Sequence, residues 1–423
     1  MERLLVVGRG AREHAIAHKA LLSGKLEVYV APGNGGMCPP IHRVPIQETE
    51  IAKLRDFIRH TKVDYVIVGP EAPIARGMYD DLHDLAVVIA PPQKLSFLES
   101  SKAKAKYFME TIGIPTASAV IFDKSRQADA ESYLRGSDYP LVIKASGLAG
   151  GKGVLIAHHP EEALQFVRES FSGARFGAAG HTVVIETYLP GEERSAFILA
   201  DGVGYAFLPM ARDYKRLREG DKGPNTGGMG GYAPADEATW SETVREKIIE
   251  PTLHALKKSG TPYRGFLFVG LMMVDGEPYV LEYNVRLGDP EAQVILPLIE
   301  NSMEEILYYY RIQKLGELKV RLHEKYAVGV VAATAGYPES PQTGQLLPDL
   351  PEEEGGCKVD ERTYLYSAGV ETQPDGKRYA TGGRTYTVVG LGASLKEARQ
   401  RAYAGMEKFP FEGRHYRTDI AIQ

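Results

Sequence analysis

Three polar residues alternate through an otherwise apolar stretch near position 284. Residues 279–287 read Tyr-Val-Leu-Glu-Tyr-Asn-Val-Arg-Leu. On a strand, residues two apart share a face. Glu282, Asn284 and Arg286 therefore point one way, and Leu281, Tyr283, Val285 and Leu287 the other. A carboxylate beside an amide oxygen suits Mg²⁺, which keeps waters and phosphate oxygens for its remaining positions. A guanidinium on the same face can clamp a phosphate or carboxylate in a fork. Gly288-Asp289-Pro290-Glu291 adds two acids at the strand end. The preceding strand, residues 266–274, is almost wholly apolar, so a merely solvated polar face is the weaker reading.

Residues 141–154 read Leu-Val-Ile-Lys-Ala-Ser-Gly-Leu-Ala-Gly-Gly-Lys-Gly-Val. Lys144 lies within an apolar strand, where its charge must meet a partner or shift its proton affinity. The glycines offer backbone donors to an anion, with Lys152 as a second cation. A P-loop would place Ser or Thr after that lysine and then a helix. Here Gly153 follows, then a strand. A glycine-rich flap between two antiparallel strands, folding over phosphates, fits better than a P-loop or a plain flexible hairpin.

Val7-Gly8-Arg9-Gly10-Ala11-Arg12-Glu13-His14 sits where a strand turns into a helix. Backbone N–H groups and a helix N-terminus favour an anion there. A dinucleotide fingerprint would need glycine at Glu13 and an acid after the second strand, but that strand ends Val30-Ala31-Pro32. A smaller phosphate, with Arg12 at hand, is the better expectation. Asp213-Tyr214-Lys215-Arg216 and the run from Gly220 to Gly231 are too polar and glycine-rich for core; composition alone weights disorder and substrate contact equally. The strand around residues 183–189 runs out toward Gly191-Glu192-Glu193. Its end could meet an adenine edge and its acids a ribose, although alone it reads as a strand and turn. The eleven histidines show no metal-binding spacing.

These groups need a scaffold of several domains, because 423 residues exceed a single core. Lys and Arg number 50 against 55 Asp and Glu, which argues against a dedicated nucleic-acid binder. Two cysteines, Cys38 and Cys357, make no disulfide framework, and a reducing, cytoplasmic setting is expected. No apolar run reaches the length of a membrane span, and the N-terminus is too short of apolar residues for a secretory core.

In the first hundred residues, strands at 4–7, 28–31, 65–68 and 87–90 alternate with helices, including 51–58 and 78–85. This predicts a doubly wound parallel sheet, an α/β domain. Ala31-Pro32-Gly33-Asn34-Gly35-Gly36 and Gly69-Pro70-Glu71 fall at its strand ends, where such sheets bind ligands. The middle, with a helix at 101–112 and hairpin turns at Asp201-Gly202 and Asp275-Gly276, reads as α+β. A third, β-rich piece begins near 327 and carries a helix at 395–407. Residues 338–356 read as an exposed loop. The expected domains are 1–100, 101–325 with a flap subdomain about 120–190, and 326–423.

Together these motifs resemble the ATP-grasp superfamily, and within it the phosphoribosylamine–glycine ligases, or glycinamide ribonucleotide synthetases. The resemblance runs along essentially the whole chain. It includes residues 8–15, 31–34, 68–73, 144–154, 281–293, Thr381-Gly382-Gly383-Arg384 and Tyr416-Arg417-Thr418-Asp419-Ile420. Gly223-Pro224-Asn225-Thr226-Gly227-Gly228-Met229-Gly230 is its most specific part, and tips that loop toward substrate. The resemblance implies an ATP-grasp fold for the middle domain and a small β-rich C-terminal domain. It implies ligation of glycine to 5-phosphoribosylamine through glycyl phosphate, with ATP going to ADP and phosphate, in purine synthesis. Mg²⁺ or Mn²⁺ would assist. The partners would be small molecules, with no nucleic acid and no membrane, and the chain a monomer.

The same resemblance assigns residues. Lys102 and Lys144 would hold ATP phosphates under a flap of Gly150, Gly151, Lys152 and Gly153. Glu186, Tyr188 and Leu189 would meet adenine, and Glu193 the ribose. Glu282 and Asn284 would bind the metal. Arg286, Gly288 and Asp289 would orient glycine and the acyl phosphate. Gly8, Gly10, Arg12, Glu13, Asn34 and Glu71 would hold phosphoribosylamine, approached by Asp213, Asn225, Thr226, Gly227 and Gly228. The catalytic set is Arg286, Asp289, Asp213 and Lys144. The chain departs from the family at Ala11, Ser146, Gly150, Tyr214 and Leu287, where Gly, Asp, Ala, His and Phe are usual. Ser146 resembles the biotin-carboxylase branch. Rival readings are another ATP-grasp ligase or carboxylase, a nicotinamide oxidoreductase, and an inactive nucleotide-binding scaffold.

Overall fold

The structure is a computed structural model and describes residues 1–150, 153–235 and 240–422. The N-terminal part runs β1 (Glu2–Gly8), α1 (Ala11–Leu21), β2 (Leu26–Pro32), β3 (His42–Arg43), α2 (Ile51–Thr61), β4 (Tyr65–Val68), α3 (Glu71–Ala75), α4 (Met78–Leu82) and β5 (Val87–Ile89). Its strands pair in parallel in the order β3-β2-β1-β4-β5, as the alternating pattern predicts. Leu4 and Val6 enter one core, Leu5 and Val7 another. A strand covered on both faces must be apolar throughout. The helix expected at 78–85 stops at Leu82, where the Leu85 N–H turns back onto the Leu82 carbonyl at 2.9 Å.

Next come α5 (Phe97–Ser100), α6 (Lys102–Thr111), β6 (Ala119–Asp123), α7 (Gln127–Arg135), β7 (Leu141–Ala145), β8 (Val154–Ala157), α8 (Pro160–Phe171) and β9 (Thr182–Thr187). These strands form an antiparallel sheet, β6-β9-β7-β8. Ala130, Leu134, Ala163, Phe166 and Val167 of α7 and α8 pack on it with Phe122 and Ile143. β7 and β8 pair as a hairpin with Lys144 opposite Val154, the geometry expected of a flap and not of a P-loop.

The remaining elements are β10 (Glu192–Asp201), β11 (Tyr205–Asp213), β12 (Arg216–Arg218), β13 (Lys222–Asn225), β14 (Gly230–Ala233), α9 (Trp240–Val244), α10 (Glu250–Lys258), β15 (Arg264–Val274), β16 (Glu277–Asn284), α11 (Glu291–Ile295), α12 (Met303–Arg311), β17 (Tyr326–Ala333), β18 (Lys358–Asp360), β19 (Thr363–Ser367), β20 (Val370–Thr372), β21 (Arg378–Ala380), β22 (Arg384–Gly392) and α13 (Leu395–Met406). One sheet of nine antiparallel strands joins most of them, in the order β16-β15-β10-β11-β14-β17-β22-β19-β18. The C-terminal strands thus continue the central sheet: β14 and β17 pair from Gly230–Val330 to Ala233–Ala327.

The segment 338–356 is largely the exposed loop expected of it, open over residues 339–344, but a few of its residues turn inward. Leu347 and Leu350 are buried in the C-terminal core, and Gly355 packs against Leu21 and Ile41. Its proline and glycine content bends the chain, while its leucines supply apolar contacts that composition averages away. No described helix is long and apolar enough to cross a membrane.

Candidate active site

Lys144 reaches from the flap sheet to the central sheet. Its side chain is buried, and Nζ donates to Glu186 Oε2 at 2.7 Å and to the Leu281 carbonyl at 2.9 Å. One cavity is lined by Lys102, Lys144, Glu186, Glu282 and Asn284, together with Glu99 and Lys106. The two lysines and the acid–amide pair, some 140 to 180 residues apart in sequence, therefore converge.

Lys102 opens α6, and its Nζ donates to the Gly147 carbonyl at 3.4 Å. Burial lowers its proton affinity, and the Lys144 charge lowers it further, against the pull of Glu282. Such a cation gains most when an anion arrives. Ser146 accepts the Ala103 N–H at 3.1 Å and so ties the flap to the start of α6. Gly150 and Gly153 flank the flap tip, and Gly153 accepts the Ala145 N–H at 2.8 Å. Gly151 and Lys152 lie outside the described residues.

Glu282 is half-buried and Asn284 buried. The Asn284 amide donates to Glu282 at 3.5 Å and accepts from Arg286 at 3.4 Å. Burial pushes the Glu282 carboxyl up, but Lys215, Lys102 and Lys144 outweigh it and hold the group ionised. Among the described residues no three Asp, Glu, His or Cys cluster as a ready-made metal site. An ion here would take two protein oxygens and complete its shell with phosphate oxygens and water. That suits Mg²⁺ or Mn²⁺ better than a metal needing a full protein cage.

Arg286 leaves β16 between two acids, the buried Glu99 and the half-buried Glu71. Nη2 meets Glu99 at 2.8 Å, and Nε lies 3.7 Å from Glu71. Burial opposes its charge, but Glu99 and Glu71 raise its affinity for the proton. Its Nε is buried without a hydrogen-bond partner, an unusual state that a substrate oxygen would relieve. Glu99 also accepts the Val285 N–H at 2.8 Å, and burial raises its proton affinity despite Arg286. Glu71 stands at the start of α3, its carboxyl lowered because Arg286 and Arg12 outweigh burial.

Asp289 accepts from Gln293 at 2.7 Å and lies 3.3 Å from Arg384. Glu291 presses against Gly288, where a Cβ would come within 2.3 Å of its carboxylate. Burial and the neighbouring Asp213 push Glu291 up to about 7. Burial, with Glu193 adding to it, pushes Asp213 up to about 6 against the pull of Lys215. Lys215 pairs with Glu193 at 2.8 Å, and Asp213, Glu193 and Glu282 overcome its burial and raise it. Two acids poised near neutrality beside two ionised ones form an environment suited to handling an amine and its protons.

The glycine loop at 223–230 is folded inward, not disordered. Thr226 N–H and hydroxyl both bond the Lys215 carbonyl at 2.8 Å. Gly227 N–H donates to the Tyr337 hydroxyl at 2.9 Å. Arg384 donates to the Gly227 carbonyl at 2.6 Å and to the Asp289 carbonyl at 2.8 Å. Asn225 reaches Val154 of the flap hairpin at 3.4 Å. Gly228 has φ +110°, and a Cβ there would meet Pro290 at 2.4 Å, so only glycine brings this backbone so close.

The strand-end loops of the first domain hold surprises. Glu13 accepts the Gly10 N–H at 2.6 Å and the Arg12 Nε–H at 2.6 Å. A Cβ on Gly69 would fall 1.9 Å from Glu13, and one on Gly8 2.6 Å. The Glu13 carboxylate thus occupies the donors expected for a phosphate and caps α1 itself. Arg12 also donates to the Leu287 carbonyl at 3.1 Å, linking this loop to the Arg286 strand. Asn34 spends its amide on Arg9 and Ser367 carbonyls, at 2.7 and 2.8 Å, and its oxygen on Gly36 and Ser367. Its side chain locks the loop. Glu186 likewise spends its carboxylate on Lys106 and Lys144, so contact with a base is left to the exposed Tyr188 and half-buried Leu189 where the chain leaves β9.

Sequence reasoning assigned no role to Glu99, Lys106, Lys215, Glu291 or Arg384. Arg384, Lys215 and Glu291 all sat inside motifs singled out above. Glu99 and Lys106 carried no local signal, because their partners are distant in sequence.

The comparisons agree with this arrangement. Three family models match in succession: phosphoribosylglycinamide synthetase, N domain, over residues 2–99; its ATP-grasp (A) domain over 100–292; and its C domain over 327–423. A phosphoribosylamine–glycine ligase of Caldanaerobacter subterraneus subsp. tengcongensis is 42% identical over 99% of both chains. One from Escherichia coli K12 is 40% identical over 99% of this chain and 97% of its own. The crystal structure of the Thermotoga maritima phosphoribosylamine–glycine ligase superposes with a TM-score of 0.85 at 37% identity, covering 99% of this chain and all of that one. The biotin carboxylase domain of Hydrogenobacter thermophilus 2-oxoglutarate carboxylase shares the fold alone, at TM-score 0.71 and 15% identity over 98% of this chain and 91% of that one. With its N, ATP-grasp and C domains matched in order, the chain belongs to the phosphoribosylglycinamide synthetase family.

Proposed function

We propose that the cleft ligates glycine to 5-phosphoribosylamine, giving glycinamide ribonucleotide, ADP and phosphate in purine biosynthesis. The observation that carries this reading is the convergence of Lys102, Lys144, Glu282 and Asn284 on one cavity, beside an ordered Asn225–Gly228 loop. Lys102 and Lys144 hold the triphosphate, and the hairpin between β7 and β8 covers it. Glu282 and Asn284 hold the divalent ion, which when bound neutralises charge on the phosphates.

Glycine's carboxylate oxygen attacks the γ-phosphorus in line, and the bond to ADP breaks. Arg286 supplies the free Nε–H, held in place by Glu99 and Glu71, to orient that carboxylate. Phosphoribosylamine approaches from the first-domain side past Arg12, Glu71 and the 225–228 loop. Its neutral amine attacks the glycyl carbonyl, the bond to phosphate breaks, and the amine loses a proton. Asp213 and Glu291, poised near neutrality, are the groups placed to receive protons. Closure excludes water, which would hydrolyse the acyl phosphate.

The test is ADP release with each substrate omitted in turn. Release requiring both glycine and phosphoribosylamine supports the reading. Release driven by bicarbonate instead would replace it with a carboxylase.

A further inference from the structure

Lys106 borders the cavity but has been given no role in the reaction, and it is 1% exposed, a rare state for lysine. It lies on α6, one turn beyond Lys102. Its Nζ donates to Glu186 Oε1 at 2.8 Å, to Thr116 Oγ1 at 2.7 Å and to the Ala117 carbonyl at 3.0 Å. An ammonium has three hydrogens, so all are spent and none can reach a ligand. Thr116 passes its own hydroxyl hydrogen to the Val280 carbonyl at 2.6 Å.

The other oxygen of Glu186 accepts from Lys144 at 2.7 Å. Among the described residues Lys144 makes one further hydrogen bond, to Leu281. One of its three hydrogens is left for the cavity that it shares with Lys102, Glu282 and Asn284. Two ammoniums share a single carboxylate, so the enclosed trio keeps one net positive charge. Without Lys106, Glu186 and Lys144 would form a closed neutral pair, and an incoming phosphate would have to compete with Glu186 for Lys144.

We propose that Lys106 is a positioning residue for the nucleotide: by neutralising Glu186 it keeps that carboxylate from pairing off the Lys144 charge, which is left to face the triphosphate. This rests on the reading that ATP occupies the cavity. The plainer reading makes Lys106 an ordinary buried ion pair that anchors α6 to β9, in which case its loss affects stability and no charge compensation can restore binding.

The experiment measures Mg²⁺-ATP binding to the full chain by calorimetry, with the KM for glycine measured alongside. Lys106→Met should weaken ATP at least about tenfold and leave the KM for glycine within about twofold. Adding Glu186→Gln to Lys106→Met removes the stranded carboxylate and should restore affinity to within about threefold of the parent. Lys106→Gln keeps donors for Thr116 and Ala117, and carries the same pair of tests should the methionine variant not fold. Parent protein that binds no ATP overturns the nucleotide reading itself. Parent protein that binds, with single variants that bind as well, overturns the role of Lys106. So does a double variant that remains as weak as the single one.

Discussion

Arg286→Ala separates the substrate-orienting job proposed for one side chain from its place in a buried ion pair. Arg286 faces Glu99 at 2.8 Å, with side-chain exposures of 17% and 7%. At an effective dielectric constant near 20, that separation corresponds to about 6 kcal/mol of attraction. Removing one member of a buried pair costs about 3–5 kcal/mol, because the other charge is left stranded. The variant should lose that much stability at neutral pH, and most of it should return in Arg286→Ala/Glu99→Gln, where no charge is stranded. The pH dependence has a definite sign. Burial already raises Glu99 above its ordinary value, and loss of Arg286 raises it further. The folded variant then binds a proton that the unfolded chain releases near pH 4.3, so the penalty is small at acid pH and grows as pH rises toward the folded value. Trp240 is the only tryptophan and packs against the core that contains Val285, so its fluorescence reports the unfolding. Glycine-dependent ADP release should be abolished in both variants. A double variant with restored activity would reduce Arg286 to a counter-ion, and a single variant as stable as the parent would refute the enclosed pair.

The other expectations concern neighbouring groups. Arg384→Ala should raise the KM for glycine and phosphoribosylamine at least about tenfold and leave ATP affinity unchanged, since it releases the Gly227 and Asp289 carbonyls and not the phosphate lysines; a selective loss of ATP binding would contradict this. Glu282→Gln should shift the Mg²⁺ titration of activity to higher concentration, and an unmoved titration would remove Glu282 from the metal. Glu291, pushed up to about 7 by burial and Asp213, should make stability fall as pH rises from about 4.3 toward 7. Glu291→Gln should flatten that part of the unfolding-midpoint profile, and identical slopes would argue that the proton resides elsewhere.

Local signals carried the scaffold and half of the site. Strict alternation exposed the Glu282 and Asn284 face, and an apolar strand with one lysine marked the flap hairpin. The parallel first sheet followed from strands that are apolar at every position. What escaped was whatever depends on a partner far along the chain. Lys106 and Glu186 are 80 residues apart and Arg286 and Glu99 nearly 190, so neither pairing leaves a trace in local periodicity. The glycines at 8 and 10 read as an anion site, and the carboxylate that reaches them in the fold is the protein's own Glu13. Asn34 has a ligand's chemistry, yet its hydrogen-bonding capacity is consumed by loops that only the fold brings together. Within the largely exposed loop 338–356, Leu347 and Leu350 escaped notice because a polar average hides two leucines that find a core.

The union of β14 with β17 bears on how the molecule can be divided. The strand that closes the substrate loop is zipped along its outer edge to the first strand of the C-terminal part. Amputation before residue 326 would leave that edge with unpaired backbone donors and acceptors, an invitation to promiscuous strand addition and precipitation. The last hundred residues therefore behave as a keel for the catalytic half, and any fragment meant to work alone must carry them.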